Sequence, residues 1–151
     1  DVAELRALVP GPPDESPASK LARLDRADSV GEGDFLAEWP HEEWAIQPRE
    51  EVAAMRARLL LDAAEGLARD GRFNDAVFIY QRLLRDDPLA ESWHLALMRT
   101  YASQGDRSRA LRQYHACRTI LRRELGVEPS DTLRDEYNRV LGVQRPARAT
   151  R

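Results

Sequence analysis

The chain has 151 residues and a mass of 17.2 kDa, a length that suits one domain with one substantial core. Apolar residues make up 42 % of the chain and charged residues 32 %, and no apolar run approaches the ~20 residues that a transmembrane helix needs. The single cysteine excludes an internal disulfide and a four-cysteine zinc site. The net charge of −3 is uneven, with −7 over residues 1–47, −1 over 48–105 and +5 over 106–151, which predicts two surfaces for different partners.

Residues 1–47 contain two short helical patterns followed by an irregular segment. Apolar residues fall in helical phase over 2–9 and again over 18–29, with a proline-rich loop between them. Residues 30–47 combine glycine and proline with large apolar side chains, namely Phe35, Leu36, Trp39 and Trp44. Aromatic residues in an irregular segment commonly pin it onto a neighbouring helix, so we expect residues 1–47 to pack on the helices that follow.

Five amphipathic helices are predicted from Pro48 onward. Proline followed by two glutamates suits a helix start, and apolar residues recur at helical spacing from Val52 to Leu67 before Gly71 ends the pattern. The next three patterns end at Asp86-Asp87-Pro88, at Gly105 and at Gly126, and the last one opens at Pro129. Residues 144–151 have no apolar stripe and are predicted to form a flexible basic tail. No strand-like alternation occurs, so the predicted fold class is all-α.

The helices repeat with a period of 34 residues. Six pairs of residues stand at this spacing: Ala64 and Met98, Leu67 and Tyr101, Ala68 and Ala102, Gly71 and Gly105, Ala76 and Ala110, and Tyr80 and Tyr114. A helix–turn–helix period of 34, with an early alanine and an aromatic residue four positions later, is the signature of the tetratricopeptide repeat. Over 48–143 we therefore predict antiparallel helix pairs in a right-handed superhelix, with repeats at about 54–87 and 88–125 and a closing helix at about 129–141.

Three stretches of the sequence carry a resemblance to a known family. They are GDFLAEWPHEEW at 33–44, PREEVAAMRARLL at 48–60 and RRELGVEPSDTLRDEY at 122–137. With the repeat, they resemble the bacterial transcriptional activator domain, the tetratricopeptide-like module of the antibiotic-regulatory class of activators. The GDFL motif (33–36), Trp44 and the ELGVEPS motif (124–130) carry most of this resemblance, because a generic tetratricopeptide protein has no reason to contain the first or the last.

The resemblance implies a cytoplasmic role in transcription activation through protein–protein interaction. In such regulators a winged-helix DNA-binding domain usually precedes this module, so DNA is contacted only through that separate domain. The chain begins at Asp1, without an initiator methionine or a signal-peptide pattern, which fits a piece of a longer protein. The module itself is implied to form a homodimer, to sense a small effector or to contact RNA polymerase. Neither a membrane partner nor a cofactor is implied.

No catalytic or metal-binding constellation emerges from the sequence. The run His41-Glu42-Glu43 lacks the second histidine, one helical turn on, that a zinc protease needs. His115 and Cys117 lie two residues apart on a predicted helix and therefore point to different faces. Cys117 falls on the apolar stripe, which predicts a buried, unreactive thiol. Because there is also no phosphate-binding glycine loop and no nucleophile elbow, we predict no enzyme activity.

The basic final third contains a pattern of arginines on one predicted helix. At 100° per residue, Arg109, Arg112 and Arg123 fall within about 60° of one another, opposite the apolar stripe. Arg118 and Arg122 lie on a flank beside that stripe. A solvated charged face explains this pattern, and so does a contact with an acidic partner surface, such as a polymerase subunit, or with a nearby DNA backbone.

The concave surface of the repeat is a second candidate site. First-helix side chains of tetratricopeptide repeats line such grooves, and the candidates here are Arg56, Trp93, His94 and Arg99. The alternative function is accordingly a stand-alone adaptor that binds a peptide or a small effector in this groove. Equally, residues 30–47 can fill the groove through Trp39 and Trp44, and the sequence leaves these alternatives open.

Overall fold

A computed structural model describes residues 15–16, 18–19, 22–23, 25–26 and 43–142 of the chain. From residue 43 onward its helices are α1 (Glu43–Arg69), α2 (Phe73–Asp86), α3 (Glu91–Ser103), α4 (Arg107–Leu125) and α5 (Asp131–Leu141). The described residues contain no strand, so the predicted all-α class is confirmed. Within this part of the chain, no helix is both long and apolar enough to cross a membrane.

Several sequence predictions fall on residues that lie outside this description. They concern the GDFL motif at 33–36, Trp39, the run at 41–42, the side chain of Trp44 and the tail at 144–151. The packing expected of residues 1–47 therefore stays a prediction, and so does the division of the chain at residues 47 and 143.

The first helix begins earlier than the sequence suggested. α1 starts at Glu43, so Pro48 lies inside the helix rather than at its first position. Proline has no N–H group, and Pro48 therefore omits one intrahelical hydrogen bond close to the helix start. Beyond it, the predicted apolar stripe from Val52 to Leu67 is buried except at Met55, which is half-buried. This burial stabilises the helix despite the missing bond.

The 34-residue period recurs in the backbone of two turns. Gly71 and Gly105 have φ angles of 77° and 80°, a left-handed conformation that strains residues with a Cβ atom. In each turn the glycine N–H and the next N–H donate to carbonyls three and five residues back: Gly71 to Ala68 (3.1 Å), Arg72 to Leu67 (2.8 Å), Gly105 to Ala102 (3.0 Å) and Asp106 to Tyr101 (2.9 Å). Both helices thus end in the same Schellman motif.

Side chains at equivalent repeat positions are buried alike. This holds for the pairs Ala64 and Met98, Leu67 and Tyr101, Ala76 and Ala110, and Tyr80 and Tyr114. An alanine with no exposed surface leaves room for a close helix approach, and the aromatic residue one turn later fills the adjacent space. The tetratricopeptide-like character is therefore present in the local structure, while the right-handed superhelix stays a prediction.

The chain divides into two compact units, residues 1–79 (the N-terminal unit) and 80–151 (the C-terminal unit). In the N-terminal unit the buried residues of α1 and α2 form the core: Val52, Leu59, Leu60, Ala63, Ala64, Leu67, Ala76 and Ile79. In the C-terminal unit α3, α4 and α5 pack against one another. Their core cluster consists of Met98, Tyr114, Cys117, Leu121 and Leu133.

The closing helix begins two residues later than predicted. Pro129 does not open α5; Ser130 caps the helix, and its hydroxyl accepts a hydrogen bond from the N–H of Leu133. Serine is among the best N-cap residues because its side chain satisfies an N–H that has no partner within the helix. Pro129, just before the cap, is buried.

Candidate functional site

The turn between α4 and α5 contains the ELGVEPS motif (124–130), and an ion-pair cluster holds it. The carboxylate of Glu128 accepts hydrogen bonds from Arg118 Nε at 2.9 Å and from Arg122. Partial desolvation alone would raise the pKa of Glu128, but the hydrogen bonds and charges of the two arginines outweigh it and lower that pKa. The two arginines on the flank of α4 thus have an internal partner ten and six residues further along the chain.

Two further contacts hold α5 at its ends. The backbone N–H of Ser130 donates to Glu91 Oε2 at 2.7 Å, which joins the start of α5 to the start of α3. Arg107 Nη2 donates to the carbonyl of Leu141 at 2.7 Å, which joins the end of α5 to the start of α4. Because a helix of 11 residues is marginal by itself, these contacts and the buried side of α5 determine its position.

A buried carboxylate that the sequence analysis missed joins α3 to α5. Glu136 is 6 % exposed and accepts from Arg139 Nε at 3.1 Å and from Arg99 Nε at 3.4 Å. Burial would raise the pKa of Glu136, but the hydrogen bonds and charges of Arg139 and then Arg99 lower it. The available signal was a glutamate three residues after Leu133, on the buried face of its helix.

The groove candidates take different positions. His94 is 2 % exposed, its Nε2 donates to the carbonyl of Pro88 at 2.9 Å, and its Nδ1 accepts from Gln113 at 2.6 Å. Both ring nitrogens are therefore used within the fold, and the ring is not a surface that a ligand meets. Arg99 is the partner of Glu136, and Trp93 is half-buried.

Arg56 is also half-buried, but it lies on α1 in the N-terminal unit, whereas the other three groove candidates lie in the C-terminal unit. The groove itself therefore stays a prediction. Among the described residues no three histidine, cysteine, aspartate or glutamate side chains form a metal-binding group.

The remaining predicted arginines lie exposed on α4. Arg109 pairs with Asp106 at 3.2 Å and lies 5.8 Å from the centroid of the Tyr101 ring. Arg123 pairs with its neighbour Glu124 at 2.6 Å. Arg112 is exposed and has no ion pair with a residue that the structure describes. We name Arg109, Arg112 and Arg123 the α4 arginine face, because all three are exposed and none of them binds the carboxylate of Glu128.

Residues 3–141 match the family model of the bacterial transcriptional activator domain. The chain belongs to this family. Searches of curated proteins and of solved structures give no significant match. The resemblance seen in the sequence is thereby confirmed, and the chain is a regulatory domain of the transcription-activator type.

In this activator domain, Cys117 is buried in the core cluster, as the sequence predicted. Burial and then the charge of Glu91 raise the pKa of its thiol from 9.0 to about 12. His115, two residues away, is exposed and its ring packs edge-on to Tyr137 with 5.3 Å between the ring centroids. The two side chains lie on different faces, so the cysteine has no histidine to activate it.

We expect the Cys117 thiol to react very slowly with dithionitrobenzoate in the folded activator domain. The rise in its pKa lowers the thiolate fraction by about a thousandfold relative to an ordinary thiol, and burial hinders access. Absorbance at the product wavelength, followed in buffer and in denaturing urea, checks this. Equal rates in the two solvents would contradict it.

Proposed function

We propose that this bacterial transcriptional activator domain is the protein-interaction module of a cytoplasmic activator, and that its α4 arginine face contacts RNA polymerase. The observation that carries the proposal is Arg112, which is exposed and has no ion pair from the described residues. Arg109 and Arg123 extend the same face over four helical turns, and their carboxylate partners lie on the surface. Exposed ion pairs are worth about 0–1 kcal/mol, so a partner carboxylate can replace them.

An acidic protein surface suits this face better than a DNA backbone does. Guanidinium groups pair with carboxylates and with phosphates alike. The chain, however, carries a net charge of −3, with −7 in residues 1–47, and these acidic residues repel a polyanion. We therefore infer that DNA is contacted through a separate domain of the activator. Formation of a homodimer and the binding of a small effector are the alternatives.

The test measures binding of the purified chain to RNA polymerase holoenzyme, with duplex DNA as the control. We expect saturable binding to polymerase that weakens with salt. The double variant Arg112→Glu/Arg123→Glu should lose at least about tenfold in affinity, because it places two like charges against an acidic surface. Arg123 lies in the last turn of α4, where its charge contributes under about 1 kcal/mol, so the helicity and the melting temperature should change little.

The matched control is Arg58→Glu/Arg69→Glu, which makes the same change of charge at two exposed residues of α1. Its affinity for polymerase should stay within about twofold of that of the unmodified chain. An equal loss in the two variants would show a general effect of charge and contradict the proposal, as would full binding by Arg112→Glu/Arg123→Glu. Binding to duplex DNA that this variant abolishes would assign the face to nucleic acid, and self-association without polymerase binding would assign the domain to dimer formation.

A further inference from the structure

Two apolar side chains lie exposed at the end of α4. Leu125 is 56 % exposed and Val127 is 46 % exposed, and Gly126, between them, has the positive φ of 68° that ends the helix. The other large hydrophobic residues exposed in the described part of the chain are Ile46 and Phe78, which stand far apart in the sequence and belong to the N-terminal unit. In the described part of the C-terminal unit, the large exposed apolar side chains thus lie within one three-residue stretch, 125–127.

Three other residues of the ELGVEPS motif have a role in the fold that the exposed surface of Leu125 and Val127 lacks. Gly126 ends α4, Glu128 binds Arg118 and Arg122, and Ser130 caps α5. The exposed part of Leu125 and Val127 is apolar surface that the folded chain does not bury. A partner that covers this surface would gain the free energy of its burial.

Positive charge borders this apolar pair. Arg118, Arg122 and Leu125 stand at i, i+4 and i+7 of α4, so they lie along one face of the helix. The two guanidinium groups share a single carboxylate, that of Glu128, so one positive charge is left over. On the helical wheel Leu125 lies about 140° from Arg112, which separates this surface from the α4 arginine face.

We propose that Leu125 and Val127, with Arg118 and Arg122 beside them, bind an acidic amphipathic segment of a partner protein. Apolar side chains of the segment cover Leu125 and Val127, and its carboxylates meet the excess guanidinium charge. The buried centres of protein interfaces are mostly apolar, and arginine is enriched in them. An anionic lipid surface fits less well, because two short side chains insert little hydrocarbon into a bilayer.

The test uses fluorescence anisotropy of two labelled amphipathic peptides with the same leucine face. One carries glutamates on its polar face and the other carries lysines, and each is titrated with the complete chain. The acidic peptide should bind, more weakly as salt is raised, and the basic peptide should not. The variant Leu125→Gln/Val127→Gln should lower the affinity for the acidic peptide by at least about tenfold.

The matched control is Ile46→Gln/Phe78→Gln, which removes the same number of exposed apolar side chains from the N-terminal unit. Its affinity should stay within about twofold of that of the unmodified chain. Circular dichroism melting shows whether each variant is folded, and both should be, since all four side chains are exposed.

Three results would overturn the proposal: equal binding of the two peptides, no binding of the acidic one, or an equal loss in both variants. Binding to phosphatidylglycerol vesicles that is lost in Leu125→Gln/Val127→Gln, without peptide binding, would assign the surface to lipid instead. Because no polymerase is present in this experiment, its outcome does not depend on whether the α4 arginine face contacts polymerase.

Discussion

Replacement of Leu133 by alanine should lower the free energy of unfolding by about 2–5 kcal/mol. Leu133 is 1 % exposed and belongs to the core cluster with Met98, Tyr114, Cys117 and Leu121. It lies on α5, and its truncation leaves a cavity between this short helix and the core. Because contacts at both ends of α5 hold the helix in place, the cavity can collapse only partly. This places the cost in the range found for leucine truncations in cores.

Urea unfolding, followed by circular dichroism, measures this loss, and Leu125→Ala is the matched control. Leu125 is the same residue type in the same unit, but it is exposed, and its truncation should change the free energy of unfolding by about 0.5 kcal/mol or less. Similar losses in the two variants would mean that Leu133 is not a core residue. The control also shows that changes at Leu125 leave the fold intact, on which the peptide experiment relies.

The repeat could be predicted from the sequence because its signals are local. Gly71 and Gly105 were visible as helix ends since a positive φ is easily adopted only by glycine. Ala76 and Ala110 were visible since their spacing of 34 residues matches a known repeat. At each of these positions the local backbone or the repeat spacing determines the residue type, so the sequence pattern is sufficient to predict the repeat.

The contacts that hold α5 could not be predicted in the same way. Glu136 contacts Arg99 across 37 residues of sequence, and Glu91 contacts the N–H of Ser130 across 39. Nothing in the local sequence distinguishes these carboxylates from the many solvated ones, because their role depends on which helix ends meet in the folded chain. Pro48 shows a related limit: its local preference for a helix start does not fix where α1 begins, which is five residues earlier.

A contact that the sequence does not show also divides the five arginines predicted as partner-binding residues on α4. The helical wheel separated Arg118 and Arg122, on the flank, from Arg109, Arg112 and Arg123, opposite the apolar stripe. It could not show that Glu128, in the turn beyond α4, binds both residues of the flank. With that contact known, Arg112 is the one of the five that has no ion pair with a described residue, so it is the most informative residue to change on the α4 arginine face.

Replacement of His94 by alanine should cost about 3 kcal/mol of folding free energy. The change removes a buried ring, deprives the carbonyl of Pro88 of its donor and leaves the amide of Gln113 without its acceptor. His115→Ala is the matched control, because His115 is an exposed histidine of the same unit. Its truncation removes edge contacts with two tyrosine rings and should cost under about 1 kcal/mol.

The loss at His94 should also depend on pH, with a sign that the geometry determines. Burial lowers the pKa of His94 below its ordinary 6.5, and this outweighs the Pro88 hydrogen bond and the charges of Glu91 and Asp87, which raise it. The folded chain therefore holds the neutral ring, whose Nδ1 accepts from Gln113. Below pH 6.5 the unfolded chain takes up a proton that the folded chain does not, so stability falls as the pH falls.

Urea unfolding at a series of pH values from about 7.5 to about 5.5 checks this sign. The advantage of the unmodified chain over His94→Ala should be complete above pH 6.5 and should shrink below it, by at most about 1.4 kcal/mol per pH unit. If the difference in free energy of unfolding between the unmodified chain and His94→Ala instead grows as the pH falls, the folded chain holds the charged ring. Its hydrogen-bond partner would then be a carboxylate rather than Gln113.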